Sequence, residues 1–241
     1  MHEDHPGLER MDLTALPGGD QDIVTALPPA LARRLATTRR VILVANNPAI
    51  CRGDFEALRI GQDDVVVSFN ACIKADLLQS DSTNVFVHGF NAPDRYFFGL
   101  PYRGEINDLL VRAGPRCFTI LVGCAAPMSP VPGVMLLRDR IPLPALWNYP
   151  IDRPGGKRYV GPSTGFNTMV LFDALRQRQG YGYQIIALGF SNEAGKLWSG
   201  HAWSYERKWL LHSDVLTVSL GATRGRGFFS WLGKFIGYIR N

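Results

Sequence analysis

The sequence predicts an α/β domain with a mostly parallel central sheet and helices on both faces, and three observations carry that expectation. Short continuous apolar runs recur at 41–44, 64–69, 84–87, 117–122 and 183–188. Segments with helical spacing stand between them at 54–59, 104–112 and 164–179. Strand and helix alternate, which is the order a parallel sheet covered on both faces requires. With 241 residues, 46% of them hydrophobic, the chain can bury such a core as one domain.

Residues 1–37 are rich in Pro, Gly, Asp and Leu without a sustained period, and read as a partly ordered arm carrying one short helix near 29–35. The domain proper spans 38–222. Val41, Ile42, Leu43 and Val44 form a run too short for a helix and β-branched enough for a buried parallel strand. The four later runs have the same character. The 164–179 helix places Phe166, Met169, Val170, Phe172 and Leu175 on one apolar stripe. Seven prolines interrupt the rhythm between 125 and 154, which reads as an irregular insertion that either carries specificity or wraps the sheet edge.

A net charge of +5 and a pI near 9.2 suit an anionic ligand, an anionic membrane surface or nucleic acid. There is no long basic run, and the aromatics are not interleaved with base-reading motifs, so nucleic acid is the weakest of the three. Cys51, Cys72, Cys117 and Cys124 have no zinc spacing and read as free thiols in a reducing compartment. No metal and no cofactor are implied. The first residues lack the basic start and apolar middle of a signal peptide, and no apolar run has the length of a membrane span, so the expectation is a cytoplasmic protein. The basic, aromatic tail 223–241 fits a helix lying in a membrane interface, which would make the protein peripheral on the inner face of the cell membrane, or a terminal helix docked on the core.

In an open α/β sheet the ligand sits beyond the carboxyl ends of the strands. Asn46 and Asn47 end the first run, Asn70 the second, and His88 with Asn91 the third. Asn amides there offer donors and acceptors to a base or ribose without adding charge, although Asn46-Asn47-Pro48 also suits a plain turn. Gly161-Pro162-Ser163-Thr164-Gly165 opens a helix and has two functional readings. It is a phosphate cradle of free N–H groups and hydroxyls, or the Gly-x-Ser-x-Gly elbow of a hydrolase with Ser163 as nucleophile. The elbow needs a strand before it, and Arg153 to Arg158 cannot supply one. His201 stands five residues before Glu206 at the start of an amphipathic helix, and a neutral imidazole there suits a general base for a sugar hydroxyl.

Three strings taken together resemble the sialyltransferases of glycosyltransferase family 29. Val41 to Asn47 with Val65 to Asn70 looks like the large motif of that family, Pro162 to Gly165 running on to Phe190 like the small motif, and His201 to Glu206 like its His-x4-Glu motif. Ala45 and Ser68 stand where family members usually have Gly and Arg. The resemblance implies a modified Rossmann-like fold of the GT-A-variant kind and a metal-independent, inverting glycosyltransferase. It implies that Asn46, Asn70, Ser163, Thr164 and Gly165 hold a CMP-sugar and that His201 is the catalytic base; Asn47 and Glu206 complete the expected donor site. The donor would be a CMP-linked sialic acid, Kdo or related ulosonic acid, and the acceptor a hydroxyl of a cell-surface glycan or glycolipid. Two other expectations stand beside it: a serine hydrolase using Ser163 and His201, and a non-catalytic nucleotide- or glycan-binding protein.

Overall fold

A computed structural model of the chain describes residues 27–88, 96–97, 100–101, 104–121, 135–136, 162–190 and 200–220. Helix α1 (Pro29–Ala36) leads into strand β1 (Arg40–Val44), helix α2 (Arg52–Leu58), strand β2 (Asp64–Phe69) and strand β3 (Thr83–His88). Two short strands, β4 (Tyr96–Phe97) and β5 (Leu100–Pro101), pair antiparallel with each other. Helix α3 (Gly104–Ala113), strands β6 (Cys117–Leu121) and β7 (Met135–Leu136), helix α4 (Thr164–Gln179), strand β8 (Gln184–Leu188), helix α5 (Trp203–His212) and strand β9 (Leu216–Val218) complete the order.

The main sheet has seven strands in the order β7-β6-β3-β2-β1-β8-β9, and every neighbouring pair is parallel. An all-parallel sheet must be covered on both faces, so its strands carry no polar side. β2 is buried at all six positions and β1 at the last four of its five. The pleat sends Val41, Leu43, Val65, Val67, Phe69, Val85, Val87, Ile185 and Ala187 to one face, where they meet Leu31 and Leu35 of α1 and Met169, Phe172 and Leu175 of α4. Ile42, Val44, Val66, Phe86, Ile186 and Leu188 go to the other, against Phe55 and Leu58 of α2 and Leu109 and Ala113 of α3. The expected α/β architecture is thus present.

Several boundaries move for local reasons. α2 begins at Arg52 rather than 54 because Asp54 closes a capping box on the Cys51 N–H at 2.8 Å. β8 begins after Tyr183, whose hydroxyl donates to the Phe172 carbonyl at 2.6 Å and so belongs to the packing of α4; burial pushes its pKa well above the ordinary tyrosine value. α1 lies in the segment read as an arm, yet Leu31 and Leu35 are fully buried in the larger core cluster. Their spacing of four puts both on one face of the helix. Within the 125–154 insertion, residues 135–136 add edge strand β7 beside β6. The rest of that insertion, residues 1–26 and the tail 223–241 lie outside the described residues.

The amino end of the sheet is locked by one ion pair. Arg40 and Asp64 face each other in the β1–β2 register, and the guanidinium grips the carboxylate with Nε at 2.8 Å and Nη2 at 2.5 Å. The same guanidinium donates to the carbonyls of Leu58 and Arg59, placing a cation at the carboxyl end of α2. Asp64 also accepts the Gly61 N–H at 2.9 Å. Arg40→Ala leaves a buried carboxylate without its counter-ion, so urea denaturation should show a loss of about 3 kcal/mol; a loss below about 1 kcal/mol, the range of exposed pairs, would contradict this reading.

Candidate functional site

From β1 the chain builds outward through β2, β3, β6 and β7, then returns to add β8 and β9 on the other side of β1. The strand order therefore reverses between β1 and β8, and the region beyond the carboxyl ends at such a reversal is the general ligand position in open α/β sheets. Asn46, Asn70, Ser163, Thr164 and Glu206, five of the residues named from sequence, take part here in hydrogen bonds that join the β1 loop to the β2 loop, the β2 loop to the start of α4, and α4 to α5.

Asn46 follows β1 and bridges to the β2 loop. Its Nδ2 donates to the Phe69 carbonyl at 2.9 Å, and its Oδ1 accepts the Ile73 N–H at 3.1 Å. The residue is exposed. Asn70 ends β2 with a left-handed backbone at φ 51°, a region Asn tolerates better than most residues. Its Nδ2 donates to the Thr164 hydroxyl at 3.0 Å and ties the β2 loop to the start of α4. Asn47 behaves differently. It is 6% exposed, its Nδ2 donates to the Gly189 carbonyl at 3.0 Å and its Oδ1 accepts the Ala49 N–H at 3.0 Å. Asn47, expected at the ligand, is instead turned inward as the clamp between the ends of β1 and β8, because the loop needs a partner for both backbone groups.

At α4, Ser163 is the N-cap. Four N–H groups at a helix start have no partner within the helix. Here Ser163 Oγ accepts the Phe166 N–H at 3.1 Å, and Glu206 Oε1 accepts the Ser163 N–H at 2.8 Å. Among the described residues the N–H groups of Thr164 and Gly165 keep no partner. Two donors at the positive end of a sixteen-residue helix are therefore open. Gly165 is closely approached: a Cβ there would stand 3.0 Å from Phe190 Cε1, so the ring would have to give way. Phe190 packs edge-on to Phe69 with ring centres 5.9 Å apart, so the ends of β8 and β2 floor the helix start with aromatic rings.

Glu206 is 8% exposed, and both its oxygens hold Ser163, Oε2 accepting the hydroxyl at 2.8 Å. Its carboxylate lies against the α4 N-terminus, where the helix dipole favours it. Ser163 is 43 residues from Glu206 in sequence. α5 is seated by Tyr205 and Trp209, whose rings meet Phe166 edge-on with centres 6.1 and 5.2 Å apart. His201 lies two residues before α5, half-buried, with its ring edge-on to Trp203 at 5.1 Å. It adjoins Ala202, whose carbonyl accepts the Glu206 N–H at 3.1 Å, so His201 and the Ser163–Glu206 contact share one turn of chain. His88 closes β3, and Asn91 lies outside the described residues.

The Ser163 backbone is extended, at φ −65° and ψ 151°, not the strained turn of a hydrolase elbow. Asp173, the acid that would follow, is ten residues along the chain, about 15 Å by helical rise. It is tied to Arg176 at 2.7 Å and Gln177 at 2.8 Å, while burial, opposed by that Arg176 charge, raises its pKa. A separate concavity of about 240 Å³, lined by Arg34, Asp63, Thr83 and Arg116 among others, lies at the amino ends of the strands and takes no part in this site.

Among the described residues no helix is long and apolar enough to cross a membrane, and no group of three or more His, Cys, Asp or Glu is placed to hold a metal ion. Comparison of the chain with models of protein families, with curated proteins and with solved structures finds no match in any of the three.

The Ser163–Glu206 contact should be visible as an energetic coupling. Ser163→Ala and Glu206→Gln should each cost about 1–2 kcal/mol in urea denaturation. The double variant should cost about 1 kcal/mol less than the sum, whereas strict additivity would mean that the two side chains do not depend on each other.

Proposed function

We propose that this protein is a metal-independent, inverting glycosyltransferase that moves a sialic acid, Kdo or related ulosonic acid from its CMP conjugate to a hydroxyl of a cell-surface glycan or glycolipid. The observation that supports it most is the pair of N–H groups at Thr164 and Gly165, without a partner among the described residues, with Asn70 bonded to the Thr164 hydroxyl where the strand order reverses. Phosphate oxygens suit such a helix start, and the neutral Asn46 amide suits a base or ribose. The reading assigns the fold to the Rossmann-like, GT-A-variant group, on the strength of the parallel sheet and the three motif strings.

In the proposed reaction the acceptor oxygen attacks the anomeric carbon while the bond from that carbon to the phosphate oxygen breaks. CMP leaves with the electron pair, the configuration inverts, and His201 takes the acceptor proton. The N–H groups of Thr164 and Gly165 stabilise the charge that grows on the departing phosphate. Glu206 acts one step back by fixing Ser163, and Asn47 by holding the ends of β1 and β8 together. The net charge of +5 suits an anionic donor. The setting that goes with this chemistry is a cytoplasmic enzyme, peripheral at the inner face of the membrane through 224–241, with no role for nucleic acid.

Calorimetry with CMP, UDP and GDP in metal-free buffer tests the donor assignment. CMP should bind selectively, and Asn46→Ala or Ser163→Ala should weaken it about tenfold, the loss of one or two hydrogen bonds. His201→Ala should keep CMP binding and lose transfer by a factor of about 10² or more. Equal binding of all three nucleotides, or full transfer by the His201 variant, would refute the proposal.

A further inference from the structure

The amino end of the sheet gathers charged side chains that the transferase reading does not use. β2 and β3 pair with Val65 beside Thr83, and β3 and β6 with Asn84 beside Cys117. Asp63 lies two residues before Val65 and Arg116 one before Cys117, so the register brings them to the start of β3, one on each side. Arg34 joins them from α1, its Nε donating to the Thr83 hydroxyl at 3.1 Å. Arg116 Nη1 donates to the Asp81 carbonyl at 2.8 Å. Two guanidiniums are thus anchored two residues apart on the segment that enters β3. Arg34, Asp63, Thr83 and Arg116 line the concavity of about 240 Å³, together with Ala30 and Phe118. Thr83 is 2% and Phe118 3% exposed, so the wall they form belongs to the core.

A guanidinium has five N–H donors in a fixed fork, and each of these two spends one on its anchor. Among the described residues both terminal nitrogens of Arg34 keep no partner, and neither do Nε and Nη2 of Arg116. The ion pairs among those residues fall on Arg40 and Arg176; Arg34, Arg116 and Asp63 form none. The lining therefore holds two cations and one anion, all three without a counter-ion.

We propose that this concavity is a second ligand site and that it takes an acidic amino acid of the aspartate or glutamate type. The ligand's two carboxylates rest on Arg34 and Arg116 and its ammonium on Asp63. Its two anions and one cation complement the lining charge for charge. A planar guanidinium receives a carboxylate through two parallel hydrogen bonds, and Ala30 and Phe118 offer apolar surface to the methylenes. Asp63 repels a phosphate or a plain dicarboxylate, which brings no cation to meet it. The volume lies just below the roughly 300–1,000 Å³ of sites for drug-sized ligands, as an amino acid requires. The concavity lies at the opposite end of the sheet from the start of α4, so this inference and the transferase reading stand or fall separately.

The test follows the backbone amide resonances of the labelled full-length chain at constant ionic strength. The ligands are L-glutamate and L-aspartate, their ammonium-free counterparts glutarate and succinate, and inorganic phosphate. At least one amino acid should give saturable shifts in the millimolar range at Arg34, Asp63, Thr83 and Arg116 and leave Thr164 and Gly165 unmoved. Its counterpart and phosphate should bind about fivefold more weakly. Arg34→Gln and Arg116→Gln should each weaken the amino acid about tenfold, the scale of one charged hydrogen bond. Asp63→Asn should weaken the amino acid yet strengthen the dicarboxylate, a reversal that a change of fold does not produce, and urea midpoints check the fold of each variant. No saturable shift from either amino acid overturns the site. Phosphate or a dicarboxylate binding as tightly as the amino acid, or an Asp63→Asn protein with unchanged preference, overturns the amino-acid assignment.

Discussion

Everything at the candidate site hangs on the parallel pairing of β1 with β2 on one side and with β8 on the other. β1 is the strand from which the order runs both ways, so its carboxyl end is the place where the two neighbouring connections diverge, the general ligand position in such sheets. Pairing on both sides fixes the register to the residue, Val44 beside Ser68 and Leu188, and with it the height at which Asn46, Asn70 and Gly189 emerge. A slip by one residue would exchange the two buried faces of β1 and carry the polar loop out of line. Arg40 and Asp64 guard against that slip at the far end, since their fork closes only in this register.

The second support is electrostatic. The start of α4 concentrates partial positive charge, and the protein uses it twice. Glu206 accepts both the Ser163 N–H and its hydroxyl, while among the described residues the Thr164 and Gly165 N–H groups keep no partner. A carboxylate that also blocked those two groups would compete with an anionic ligand. Holding Glu206 on the Ser163 backbone and hydroxyl avoids this competition and orders the turn at the same time. Gly165 and the Phe69–Phe190 ring pair complete the arrangement by letting β8 and α4 approach closely. Gly189 serves the same closeness on the other side: it has φ 77°, and a Cβ there would stand 2.6 Å from Ile50 Cδ1.

Much of the sheet was legible in the sequence because buried parallel strands write themselves as continuous apolar runs. β1, β2, β3, β6 and β8 all carry that mark, and α4 carries an apolar stripe bounded by Ser163 and Gly180. β4, β5 and β7, with two residues each, and β9, with three, are too short to show any period. The site was legible as residue types at strand ends but not as contacts. Nothing local to Asn47 distinguishes an amide clamped on Gly189, 142 residues away, from one that faces a ligand. Nothing near Glu206 announces its contact with Ser163.

The central claim is that an anionic nucleotide ligand rests on the start of α4 beyond the carboxyl ends of β1 and β8. Titrating the isotopically labelled protein with CMP while following its backbone amide resonances tests that claim directly. The account predicts the largest shifts at the amides of Thr164 and Gly165, with smaller ones at Asn46 and Asn70 and none at Arg34 or Arg116 at the opposite end of the sheet. Shifts centred on Arg34 and Arg116, or an unmoved Thr164 and Gly165 at saturating CMP, would contradict it.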